Sequence, residues 1–166
     1  MPELELTRSR DDRRTYDLAG VGSMRLDGWL SRGAEAEAGG SRWRFNRRGM
    51  FKSGAEATNA SGAAEGTFDG RALRRGGAIR WRGREFALRP ASAWRERYAL
   101  ADGERELVLL DGKGWGKRPV KVTVEKPGAI EPGLLLFAAF VVRGLDEDAG
   151  SAAGAAAATG GAVAGS

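Results

Sequence analysis

Arginine recurs at alternate positions in this chain, and that spacing is the feature most able to do chemistry. Arg42 and Arg44 flank Trp43 in RWRF, Arg80 and Arg82 flank Trp81 in RWRG, and Arg95 and Arg97 flank Glu96 in WRERY. Residues two apart on a β-strand share a face. Each pair therefore sets two guanidinium groups side by side, and a guanidinium fork matches phosphate or carboxylate through two parallel hydrogen bonds. A second basic group, Lys113, Lys117 and Arg118, lies in DGKGWGKRP, on glycine-flanked backbone suited to an anion. That segment fits neither phosphate-loop template. Arg118 follows Lys117 where the Walker pattern needs Ser or Thr, and the Gly-x-Gly-x-x-Gly pattern needs glycine at position 117. These Arg and Lys residues are the candidate anion ligands. Each has a structural alternative: an outward arginine can pair with a cross-strand acid, and Glu85, Glu96, Glu104 and Glu106 lie close in sequence. DGKGWGKRP reads equally as a glycine-kinked strand or hairpin, with Trp115 capping a barrel or exposed at its rim.

Other chemistry is narrowed by what the chain lacks. It has no cysteine and no histidine, which removes disulfides, thiol nucleophiles, Cys/His zinc sites and histidine acid–base catalysis. The dense acids are Asp11-Asp12, Glu35 with Glu37, and Asp146-Glu147-Asp148. All fall in expected termini or loops, away from any pocket signal of the kind a catalytic carboxylate pair needs. No enzyme, no metal and no cofactor are expected.

The net charge is +5, and without the three acids of the last 21 residues the body stands at 27 basic against 19 acidic residues. Such a body fits an anionic partner. The charged start MPELELTRSRDDRR holds no apolar stretch of a secretory leader, so a cytoplasmic location is expected.

The elements that position the arginines have a period of two. Trp43 and Phe45 oppose Arg42 and Arg44; Ile79 and Trp81 oppose Arg80 and Arg82; Val120, Val122 and Val124 alternate with Lys121, Thr123 and Glu125. Turn signals recur at Gly39-Gly40, Gly49, Asp69-Gly70, Gly76-Gly77, Gly83, Asp102-Gly103 and Asp111-Gly112. AIRW and REFALR form a hairpin at Arg82-Gly83, and RERYALA and RELVLL another through Asp102-Gly103-Glu104. Trp29, Trp43, Trp81 and Trp94 are read as core. A base-stacking platform would instead place exposed aromatics between basic residues.

The period then changes. EPGLLLFAAFVVRGL has no alternation, Pro132 suits a first helical turn and Gly144 a helix end. Its ten apolar residues, Gly133 to Val142, make about 15 Å of helix, half of the roughly 30 Å that a bilayer core requires. A helix apolar on every side must be enclosed, and the preceding strands are what is available to enclose it. The fold expected is mainly β: an antiparallel β-barrel of roughly 10–12 strands around one hydrophobic C-terminal α-helix near 132–145. Residues 1–145 form the single domain, and the Ala/Gly/Ser-rich 146–166 a disordered tail.

A last strand, a short turn and an enclosed helix in PVKVTVEKPGAIEPGLLLFAAFVVRGL, with the hairpins of IRWRGREFALRPASAWRERYALADG, resemble the tubby C-terminal-like superfamily over about Tyr16 to Leu145. That superfamily includes the phospholipid scramblases and the LURP-one-related proteins, and the hairpins look like those of a bacterial member. The resemblance implies a closed barrel around a central helix, a mostly non-enzymatic scaffold, and phosphoinositide binding through a basic surface. The scramblases' palmitoylated cysteines and calcium segment have no counterpart here, so scrambling is not carried over. The expected role is a binding module for anionic phospholipid headgroups, peripheral at the inner membrane face. The alternative is a structural or protein-interaction domain without a ligand, or one meeting an acidic protein surface. Nucleic-acid binding ranks below both.

Overall fold

Twelve short strands carry large apolar side chains at alternate positions, and the last of them pairs with the first. The computed structural model of the protein describes residues 3–28, 32–48, 54–71, 74–92, 97–112, 120–126 and 128–146, with backbone only at 71, 74, 75 and 92. In chain order the strands are β1 (Glu3–Arg8), β2 (Thr15–Leu18), β3 (Gly22–Leu26), β4 (Gly33–Ala38), β5 (Ser41–Arg48) and β6 (Gly54–Asn59). They continue with β7 (Ala64–Arg71), β8 (Arg74–Trp81), β9 (Arg84–Ser92), β10 (Arg97–Asp102), β11 (Arg105–Asp111) and β12 (Val120–Val124). Each pairs antiparallel with its sequence neighbour, and β1 closes the ring against β12 in the register Leu4↔Val122 and Leu6↔Val120. Closure leaves no strand edge open for edge-to-edge pairing. The strand number agrees with the expected range.

One helix, α1 (residues 132–146), fills the interior and runs one residue beyond the expected end. Residues 134 to 142 are all buried, and Phe137, Ala138 and Val142 are wholly so. The inward rows of the strands meet them. Phe45 on β5 packs against Phe137 and Phe140 with ring centroids 5.2 and 5.6 Å apart, and Trp81 on β8 lies 5.9 Å from Phe137. Trp43, Trp81 and Tyr98 are core, as are Val120, Val122 and Val124; Trp29, Trp94 and Trp115 lie outside the described residues. Such tilted aromatic contacts are favourable beyond their buried area.

Two expected turns are not turns. Asp69-Gly70 lies inside β7 and Gly76-Gly77 inside β8, where Gly70 pairs with Gly77 and Asp69 with Ala78. The glycines serve close approach instead. A Cβ on Gly77 would sit 2.0 Å from the Asp69 carbonyl oxygen, and one on Gly76, at φ +130°, would sit 2.4 Å from that of Leu88. The strands touch there at a distance that only glycine permits.

Strand direction sorts the connections between two ends. The passage from each odd strand to the next even one lies at the end where β1 finishes and β12 begins. The passages from even to odd, Arg82-Gly83 and Gly103-Glu104 among them, lie at the other. α1 starts at the second end, where Gly133 fits between Trp43 and Trp81. It finishes at the first, where Gly144 lies against the Arg47 guanidinium.

Candidate functional site

The candidate strand arginines are spread around the ring, Arg42 and Arg44 on β5, Arg80 on β8 and Arg97 on β10, and each of these is matched by a carboxylate. Arg42 lies 3.6 Å from Glu37, and Arg80 lies 3.6 Å from Glu85. Arg44 donates through Nη1 to Asp27 Oδ1 at 3.2 Å, bonds the second carboxylate oxygen through Nη2, and lies 3.6 Å from Glu35. Arg97 donates through Nε to Asp111 Oδ1 at 2.7 Å. Neighbouring strands hold Arg84 against Asp102 at 2.7 Å and Arg105 against Glu125 at 2.9 Å, and Arg48 pairs with Glu56. The cause is register: β4 and β5 set Glu35 opposite Arg44 and Glu37 opposite Arg42, and β8 and β9 set Arg80 opposite Glu85. Arg95, Lys113, Lys117 and Arg118 lie outside the described residues.

Arg82 belongs to a different group. It occupies the first position of the two-residue β8–β9 turn at φ +48°, followed by Gly83 at φ +81°, the paired left-handed conformation of a tight hairpin. From there Nη1 donates to Glu131 at 2.8 Å, and Nε and Nη2 donate to Glu65 at 3.4 and 3.2 Å. Glu65 also accepts from Trp43 Nε1 at 2.7 Å and from Asn59 Nδ2 at 3.1 Å. The indole donation above all, then the Asn59 amide and the Arg82 guanidinium, hold this carboxyl below the usual carboxylate range, against a burial effect of opposite sign. Glu131 directly precedes α1, and its carbonyl accepts from Leu135 N at 3.1 Å. The cluster thus clamps three strands and a hairpin turn to the start of the helix.

At the opposite end, the last residue of β1 and the β1–β2 connection (residues 9–14) gather cations that the strand pattern did not single out. Arg8, Arg10 and Arg13 are exposed, and none has a carboxylate within ion-pair distance among the described residues. The nearer acid is engaged elsewhere. Asp12 accepts from Arg14 N at 3.0 Å, Thr15 Oγ1 at 2.9 Å and Arg25 Nε at 2.9 Å. The Arg14 N–H, then the Thr15 hydroxyl, with a smaller contribution from Arg25, lower its pKa from 3.8 to about 2. The segment TRSRDDRR was visible in the sequence as a charged run, but which of its arginines would be paired depended on where β3 delivered Arg25.

The largest concavity described, about 550 Å³, crosses the outer face of β2 to β6 between Arg25, Glu35, Glu37, Arg42 and Arg44. It is lined by both signs of charge. A second, about 390 Å³, adjoins it at Trp43 and Asn59 and reaches Glu65 and Arg82.

Fold and charge together define a closed up-and-down barrel plugged by its own helix, with exposed arginines at the β1–β2 connection. In comparison with known proteins, no family model, no curated sequence and no solved structure matches the chain.

Proposed function

We propose that this chain is a non-enzymatic binding barrel of the tubby-like type that docks peripherally on anionic phospholipid headgroups, at the inner face of a membrane and from the cytoplasm. The closed barrel around an apolar helix fits the architecture that the resemblance implied. The observation that carries the reading is the exposed group Arg8, Arg10 and Arg13 at the β1–β2 connection, none of which has a carboxylate within ion-pair distance among the described residues. Exposed cations without a carboxylate partner attract an anionic surface. The non-enzymatic reading is supported by the carboxylates Asp12, Glu35, Glu37 and Glu65, each engaged by an arginine rather than aimed as acid or base.

Co-sedimentation of the purified chain with vesicles tests this. Vesicles containing phosphatidylglycerol are expected to retain it at low salt and release it at high salt, and pure phosphatidylcholine vesicles are expected not to bind it. Equal binding to both, or to neither, overturns the reading.

The protein-interaction alternative is favoured by one observation, the concavity on β2 to β6, whose paired acids and bases match a polypeptide better than a phosphate. Capture of a protein partner that competes at Arg42 and Glu37, with no vesicle binding, establishes it instead.

A further inference from the structure

We infer that the β1–β2 connection is the part of the barrel that meets the headgroups, with Arg8, Arg10 and Arg13 as the phosphate-contacting residues. The inference rests on the membrane reading above and moves the contact away from the strand arginines. Arg42, Arg44, Arg80 and Arg97 are each opposed by a carboxylate, so presenting them to a phosphate means breaking an existing pair. Arg8, Arg10 and Arg13 require no such exchange.

The connection is also built to hold them. Ser9 N donates to Thr15 O at 2.8 Å, Thr15 N to Asp12 O at 3.0 Å, and Asp11 N to Ser9 Oγ at 3.3 Å. The Arg14 carbonyl accepts from Leu26 N at 2.9 Å, and the Arg14 guanidinium donates to the Asp27 carbonyl at 3.1 Å, which fasten the tip to β3 and its exit. With Asp12 engaged by Arg14, Thr15 and Arg25, the tip presents three exposed guanidiniums over one further carboxylate, Asp11. A fixed backbone lowers the ordering cost of binding.

A membrane fits this tip better than a nucleic acid does. Single-stranded nucleic acid is held in a basic groove that tracks the backbone, whereas these arginines stand on a hairpin tip at the rim. The nearest concavity, about 130 Å³, is lined by Arg14, Arg25, Leu26, Asp27 and Glu35, whose charged groups are paired.

The test compares two variants of the full chain on phosphatidylglycerol-containing vesicles. Arg8→Gln/Arg10→Gln/Arg13→Gln is expected to weaken binding roughly a hundredfold, about fivefold per charge, with an unchanged thermal midpoint because all three side chains are exposed. The corresponding triple Lys variant is expected to bind as wild type. Arg42→Gln/Arg80→Gln is expected to change binding less than threefold. If the hairpin variant binds like wild type while the strand variant loses binding, the assignment of the tip is overturned and the membrane reading stands. If wild type ignores the vesicles, the membrane reading itself falls. Hairpin-dependent, salt-sensitive binding to duplex DNA without vesicle binding overturns the choice of partner.

Discussion

Asp12 shows how one side chain can decide what its neighbours do. Three donors converge on its carboxylate, from the Arg14 backbone, the Thr15 hydroxyl and the Arg25 guanidinium. That fixes the connection and leaves Arg8, Arg10 and Arg13 without it. Because the folded pKa of about 2 lies below the ordinary 3.8, the carboxylate's contribution is present above the ordinary value. It is lost as pH falls through about 2. A carbon-detected NMR titration is expected to place the Asp12 midpoint near 2, with amide protection at Arg14 falling over the same range. A midpoint at the ordinary aspartate value would show that the turn does not hold this carboxylate. Glu65 shifts in the same direction, led by the indole of Trp43. Neither partnership is legible in the sequence, since Asp12 and Arg25 are 13 positions apart, and Trp43 and Glu65 are 22.

At the scale of elements, the strands were readable from alternation and the helix from its loss. Val120, Val122 and Val124 alternate with outward Lys121 and Thr123, and the pattern alone fixes which face is core. Glycine was harder to read. Gly39-Gly40 and Gly83 do make turns, at positive φ, whereas Gly70 and Gly77 lie within strands because two backbones come together there, and Gly76 combines a positive φ with the same close approach. Sequence reports that a residue lacks a Cβ but not whether conformation or proximity demands it. Gly133 belongs to the second kind: a Cβ there would lie 2.6 Å from Trp81 Cζ2 and 2.7 Å from Trp43 Cζ2. Gly133→Ala is therefore expected to cost about 1–3 kcal/mol by overpacking, despite the better helix propensity of alanine. Gly28→Ala, where an added Cβ meets nothing within 4 Å, is the control. Thermal unfolding of both variants checks this, and equal midpoints would mean that the tryptophans yield.

For the whole molecule, the helix and the barrel are one core. Neither has a stable apolar face without the other, so unfolding is expected to be a single transition. Ala139 is 1% exposed at the centre of α1. Ala139→Glu places an unpaired carboxylate there and is expected to remove on the order of 5 kcal/mol, comparable to the total stability of a domain. Loss of near-ultraviolet circular dichroism at room temperature is the readout. A variant that kept its fold and lost only membrane association would mean that the apolar run acts as an anchor.

Taken alone, the sequence determined the periods, and the periods determined much of the architecture. Alternation made strands, an apolar run about half the length a bilayer needs made an enclosed helix, and the absence of cysteine and histidine removed whole classes of chemistry. Only the tertiary structure decided which charges are available. An arginine's partner is set by strand register, and register is a property of the closed ring: β4 brings Glu35 and Glu37 to Arg44 and Arg42, and β9 brings Glu85 to Arg80. Closure also sorts the connections between two ends, and β3 brings Arg25 to Asp12, which leaves Arg8, Arg10 and Arg13 without that carboxylate. Charge is written residue by residue in the chain, but a surface potential is a sum over neighbours, and neighbours are assigned by the fold.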